Sequence, residues 1–364
     1  MGGSSSRKQS YITVSQFALI IFGSIVGVGI FSLPNGVVEV AHQDGWISTL
    51  LGGLYPLYVV IIASYIGKRF PDDNILMLSK KYFGTLIGSV FNFIFATYFI
   101  FIASMIASYY SNLMRSYING FLTPFKMIAI FFICVIYAAS KDLRVIGRIS
   151  EICFYITIFA ILVPIVNLRE MNLTNIYPIF GSGFRLIAKG SIKSIFAYSG
   201  AEIILLIYPF LKEKNKMLTS SLISVALVIV IYVWCVFITT YYVGPDIISK
   251  GFWTFLSIMS SIGISAINNY RYIFLYLWSI IALKSVSING YATIFIIKEL
   301  ARKIQAKYVY ILVYILLVYL AFQYGNEISR QSISDNVIPW YIIFNLLYMT
   351  VIAAFVFFKG GAKA

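Results

Sequence analysis

The stretch Gly27-Val28-Gly29-Ile30-Phe31-Ser32-Leu33-Pro34 decides the fold, because it interrupts an apolar run, residues 14–40, that would otherwise read as one membrane helix. Glycine permits unwinding, and proline removes a hydrogen-bond donor and disfavours helix at the residue before it. Backbone groups freed inside hydrocarbon are tolerated only where they face protein or a wet cavity. The break therefore predicts one of two things. Either it opens a cavity, where amides at the start of the second half-helix suit a ligand carboxylate, or its small residues let helices pack closely without any ligand.

A second interruption lies in residues 191–211, where Ser194-Ile195-Phe196-Ala197-Tyr198-Ser199-Gly200-Ala201-Glu202 places an acidic residue within a span. A carboxylate there costs at least about 2.5 kcal/mol on insertion scales, so Glu202 needs a partner, a proton or a water-filled cavity. A hydrogen-bonded structural acid meets that need as well as a functional one does. Phe196 and Tyr198, beside the break at Gly200, can wall an apolar ligand side chain or simply pack. Interrupted helices at matching places in two halves of a chain are the sequence mark of a central transporter-type site.

The rest of the chain is consistent with a membrane setting. Its 364 residues are 60% hydrophobic and 11% charged, with a mean hydropathy of +0.88, which excludes a water-soluble globule. A span needs about 20 apolar residues. Ten spans are expected, at 14–40, 46–67, 84–113, 124–139, 145–166, 191–211, 218–243, 268–297, 308–324 and 336–358. They form a single transmembrane domain over 1–364, with one five-span half over about 14–166 and the other over about 191–358. Residues 250–267 are apolar but short and rich in Ser and Gly, and read as an interfacial or re-entrant segment. Met1 to Gln9 is not expected to be a signal peptide, since it lacks a short apolar core.

The net charge of +15 is read as loop charge facing an anionic membrane surface, with no nucleic-acid partner expected. With the N-terminus inside, 18 of the 28 Lys and Arg residues fall on the cytoplasmic side and 8 outside, Arg115, Lys126, Arg169 and Arg330 among the latter. Both termini are therefore expected to be cytoplasmic. Arg271 and Lys284 lie within span eight, Lys284 about 16 residues in, or about 24 Å along a helix. Its ammonium either serves the interior or snorkels to the interface. Arg148 and Glu151, three apart, are expected to pair near the start of span five. Cys134, Cys153 and Cys235 show no paired or ligand spacing, and a lone His42 makes no zinc site. No metal, cofactor or catalytic motif is expected, so the chain reads as no enzyme.

The two interrupted motifs, Gly27 to Phe31 and the aromatic-x-Gly-x-Glu pattern ending at Glu202, resemble the amino acid-polyamine-organocation transporter superfamily. Further stretches extend the resemblance: Phe70-Pro71-Asp72 through Lys80-Lys81-Tyr82-Phe83-Gly84, Asn175-Ile176-Tyr177-Pro178-Ile179, and Gly200-Ala201-Glu202-Ile203 through Pro209-Phe210-Leu211. Within the superfamily these look like the spore permease family, the B subunit of bacterial spore germinant receptors.

The resemblance implies an all-α LeuT-type fold, a five-plus-five inverted repeat with broken helices 1 and 6. It also implies a multi-pass protein of the inner spore membrane that senses a small-molecule germinant, commonly an amino acid, together with an A-type subunit and a lipoprotein C-type subunit. The ligand region carried over by position is Gly27, Val28, Gly29 and Ile30 with Phe196, Tyr198 and Gly200, while Glu202 and Lys284 stand as structural or gating charges. In sodium-coupled members the eighth helix holds a sodium ion beside the first break, a place Lys284 could fill with its ammonium. The chain departs from proton-coupled members in having no lysine in span five, where residues 156–166 are uncharged. An amino acid secondary transporter is the alternative function, and a ligand-opened channel is a third.

Overall fold

The computed structural model describes residues 11–165, 172–261 and 270–359. Arg7, Lys8, Arg169 and Lys363, the expected end of span five at Val166 and the expected start of span eight at Asn268 lie outside the described residues.

The chain begins with a capping box: Thr13 Oγ1 accepts the Gln16 amide at 3.2 Å while Gln16 Oε1 accepts the Thr13 amide. This starts α1 (Val14–Ile25). A 3₁₀ turn, Val28–Phe31, separates α1 from α2 (Leu33–Ala41), whose first turn holds Pro34, where a fixed φ suits a helix start. Then come α3 (Gly45–Gly52), α4 (Leu54–Arg69), α5 (Ile75–Tyr117), α6 (Pro124–Ala139) and α7 (Leu143–Leu162). The second half opens with α8 (Gly183–Tyr198), which passes through a 3₁₀ turn into α9 (Ile204–Ile207). It continues through α10 (Met217–Val243), α11 (Pro245–Ile248), α12 (Thr254–Ser261), α13 (Tyr270–Leu300), α14 (Ala306–Gln323) and α15 (Glu327–Lys359).

Among the described residues seven helical stretches are long and apolar enough to cross a membrane, one of them Leu33–Arg69, which runs from α2 through α4; the bent pair Gly183–Tyr198 and Ala201–Phe210 makes an eighth, and Val14–Ile25 and Pro124–Ala139 are shorter apolar helices. Ten spans result, with α1 and α2 as the halves of the first. In each half of the chain the opening span is the broken one.

Three boundaries differ from the sequence reading. The third span begins at Ile75, because the helix runs on through a kink at Gly84 (φ +80°), a conformation open to glycine, where the sequence suggested a start. The tenth begins at Glu327, where Asn326 Oδ1 accepts the Ser329 amide at 2.9 Å and caps a polar first turn. Residues 250–261, expected as an interfacial or re-entrant segment, pack inward on the first break. Phe255, Leu256, Ile258 and Met259 of α12 are buried, and Phe255 stacks on Phe31 of the first break. Asn35 of α2 donates to the Ile248 carbonyl at 2.6 Å and to Thr254 Oγ1 at 2.7 Å, tying α11 and α12 to the second half of span one.

The segment entering α1 and the end of the second broken span are joined as well. Ile12 pairs with Leu211 in a short parallel bridge, its amide donating to the Phe210 carbonyl at 2.9 Å. Long α13 packs along α5, α6 and α7 and touches α1, which brings Lys284 beside the first break. Arg148 and Glu151 do not pair; Glu151 instead accepts a hydrogen bond from Ser15 Oγ at 3.2 Å.

Candidate functional site

The first break is defined by what happens to its freed carbonyls. Val26 is extended (ψ 106°) and Gly27 is extended too, so the carbonyls at the end of α1 lose their helical donors. Each finds a side chain instead. Tyr232 Oη of α10 lies 2.9 Å from the Ile25 carbonyl, Lys284 Nζ donates to the Val26 carbonyl at 3.2 Å, and Ser285 Oγ reaches the Ser24 carbonyl at 3.4 Å.

The second break is satisfied partly by the same groups. Tyr232 Oη is also 3.0 Å from the Ala197 carbonyl of α8, and its one proton serves one carbonyl at a time. Ser24 Oγ sits 2.9 Å from the Gly200 carbonyl. Gly200 turns the chain at φ +114°, and a Cβ there would stand 2.5 Å from the Ser24 carbonyl oxygen. Only glycine allows both the turn and the approach. The two breaks therefore touch, and they share donors.

Glu202 is fully buried one turn beyond Gly200. Its Oε2 accepts from Tyr98 Oη at 2.7 Å and from the Gly200 amide at 2.9 Å, and its Oε1 accepts from Tyr55 Oη. Three donors around an acceptor-only group meet the cost of its burial. They also fasten the second break to α4 and α5.

A cavity of about 50 Å³ lies between α2, α8 and α15, lined by Gly29, Ser32, Phe196, Lys193, Arg330 and Asp335 among others. It adjoins a mostly apolar groove of about 300 Å³ that shares Lys193, Phe196, Ser334 and Asp335 with it. Lys193 of α8 and Asp335 of α15 pair at 2.9 Å, both partly exposed.

Of the expected ligand residues, Gly29 and Phe196 line this cavity, and the others do not. In a 3₁₀ turn side chains three apart eclipse, so Gly29 and Ser32 share the cavity face while Val28 and Ile30 turn into the core, where both are buried. Gly27 packs against Ser285, whose Oγ would lie 3.0 Å from a Cβ at that position. Tyr198 is two residues from Phe196, so it faces the other side of α8. It donates to the Thr49 carbonyl at 3.0 Å and packs on Tyr232 with ring centroids 5.0 Å apart. Gly200 makes the turn of the second break and does not line the cavity. Lys284 is 2% exposed and does not snorkel.

The contribution of α15 is absent from the sequence reading. Arg330, Gln331, Ser334 and Asp335 fall at i, i+1, i+4 and i+5, a helical face that the spacing carries once Asn326 is taken as a cap.

The profile of the family described as "Spore germination protein" (Spore_permease) matches residues 11–328. Spore germination protein GerQB of Bacillus cereus is 24% identical over 302 residues, 83% of each chain. Spore germination protein A2 of Bacillus subtilis (strain 168) is 24% identical over 298 residues, 79% of this chain and 80% of the relative. Among solved structures, the crystal structure of MhsT in complex with L-phenylalanine superposes with a TM-score of 0.69 at 15% identity, over 96% of this chain and 90% of that one. That likeness carries the LeuT-type fold.

Proposed function

The chain belongs to the spore germination protein family, and on that premise we propose that it is the nutrient-sensing membrane subunit of a spore germination receptor. Its ligand is a small amino acid or similar germinant, seated between the first break and α8. Its partners are an A-type subunit and a lipoprotein C-type subunit, and it does no chemistry on what it binds.

The observation that carries this reading is the meeting of the two breaks beside a small cavity lined by Gly29, Ser32 and Phe196. The cavity runs into the groove between α8 and α15, with which it shares Lys193, Phe196, Ser334 and Asp335. A ligand seated there touches both the first break and α8, whose Ala197 carbonyl shares Tyr232 with that break, and so can favour one arrangement of the two over another. A ligand shifts an equilibrium only through such a difference between states.

An amino acid transporter of the same fold would use the same cavity, so function is decided by exchange. Purified protein in liposomes is expected to show no counterflow of labelled amino acid, while spores lacking this chain lose the response to one nutrient and regain it with the chain restored. Sustained counterflow with no germination defect would instead identify a transporter.

The placement proposed is the inner spore membrane with both termini on the core side. With Cys134, Cys153 and Cys235 replaced by Ser, a cysteine at exposed Lys126 should react with an impermeant maleimide in intact cells, and one at exposed Lys216 only after permeabilisation. Reaction of both from one side contradicts the topology. Arg330, an outer-loop residue in the sequence reading, is unsuitable as a reporter because it is 2% exposed.

A further inference from the structure

We infer that Arg330 is the anchor for the carboxylate of the ligand, an inference that rests on the proposed cavity and names the chemistry of what enters it. Arg330 stands in the first turn of α15, is 2% exposed and lines the cavity opposite Gly29 and Ser32.

A guanidinium presents five N–H donors in a fixed plane. In Arg330 one edge is used: Nε donates to Glu327 Oε2 at 2.9 Å and Nη2 to Glu327 Oε1 at 2.5 Å. The plane is held by Tyr109, whose ring centroid lies 4.4 Å from the guanidinium carbon. Nη1 is buried and has no hydrogen-bond partner. A buried charged donor without an acceptor is costly. Here that donor belongs to a residue whose other contacts fix it rigidly at the wall of a cavity.

Rigid, planar and desolvated, the free edge suits an oxygen acceptor bearing negative charge, and a carboxylate is the match. Charge balance narrows the ligand further. Glu327 already neutralises Arg330, and Asp335 pairs with Lys193. A bare anion would leave an uncompensated charge in the cavity, whereas a zwitterion brings its own counter-charge. The class is therefore a small amino acid recognised through its carboxylate, which separates it from sugars, nucleosides and neutral amides.

Simple removal of Arg330 would leave Glu327 buried without its partner, which can unfold the protein by itself. The test therefore uses the double variant Glu327→Gln/Arg330→Gln, which removes both charges, and Arg330→Lys, which keeps one charge but loses the planar edge. Full-length protein in detergent is melted with each standard L-amino acid in turn, and then with the amide of any that stabilises it. The expected result is that the amide and both variants need at least about tenfold more ligand for the same shift. The inference is overturned if the amide stabilises as the acid does, or if the double variant responds as the parent does. If Gly29→Val then abolishes the shift while the double variant keeps it, the cavity stands and the anchor is wrong. If no amino acid stabilises the parent, the cavity reading and the anchor fall together.

Discussion

Glu202→Leu is expected to deplete the protein from the membrane, or to lower its melting temperature by more than the loss of any other buried polar group near the breaks. The reason is the number of donors that converge on one side chain. Tyr55 Oη, Tyr98 Oη and the Gly200 amide all donate to the carboxylate. Leucine fills much of the volume but accepts nothing; the Gly200 amide keeps Tyr98 Oη as an acceptor at 3.0 Å, while the two tyrosine hydroxyls lose theirs at about 1–3 kcal/mol each. Two such losses are a large share of the stability of an ordinary domain, about 5–15 kcal/mol. Glu202→Gln should be much milder. The tyrosine hydroxyls can turn to accept from the amide nitrogen, leaving the remaining oxygen for the Gly200 amide. Melting curves of the two purified variants, read against membrane yield, check the order. Parent-like melting of Glu202→Leu would show that the cluster contributes little.

Lys284→Met is expected to do the opposite, keeping or raising the melting temperature while abolishing the germinant response. Lys284 is 2% exposed and donates to the Val26 carbonyl at 3.2 Å, and no carboxylate pairs with it among the described residues. Burying an ammonium on one neutral acceptor costs several kcal/mol. Methionine removes that cost, although it leaves the Val26 carbonyl without its donor. We propose that a charge held at such expense beside the break acts there as a fixed cation, much as a bound ion would. Arginine should not rescue, because the stem lies against Gly23, where a Cβ would already stand 3.0 Å from Lys284 Cδ. Germination by Lys284→Met spores at the parent's nutrient concentration would remove the ammonium from the account.

Much of the architecture was legible because hydrocarbon imposes it. Apolar length set the spans, and the glycines with Pro34 set the first break at the place where α1 ends and the 3₁₀ turn begins. The composition of the site was less legible, for geometric reasons. Four successive residues, Gly27 to Ile30, were expected to face a ligand, but a turn shows its cavity only one residue in three. Phe196 and Tyr198 were paired by proximity in sequence, and helical geometry puts them on opposite sides. The polar residues from Glu327 to Asp335 lower the local hydropathy, which hid the first turns of α15 and with them Arg330. Tyr232 was invisible in a different way. Nothing in an apolar run marks one tyrosine as the hydroxyl that serves two helix ends brought together from distant parts of the chain.

The central claim is that a ligand occupies the cavity at Gly29, and the most direct measurement is the nutrient concentration for half-maximal germination of Gly29→Ala and Gly29→Val spores. A Cβ at Gly29 meets the Ala197 Cα at 3.6 Å, an ordinary contact, so the alanine variant should accumulate normally. Valine adds two methyl groups between the break and Phe196, in the space a ligand would need. The account predicts a raised concentration for alanine and no response for valine, with both proteins present in the membrane. A valine variant that is present at the parent's level and responds at the parent's concentration would contradict it.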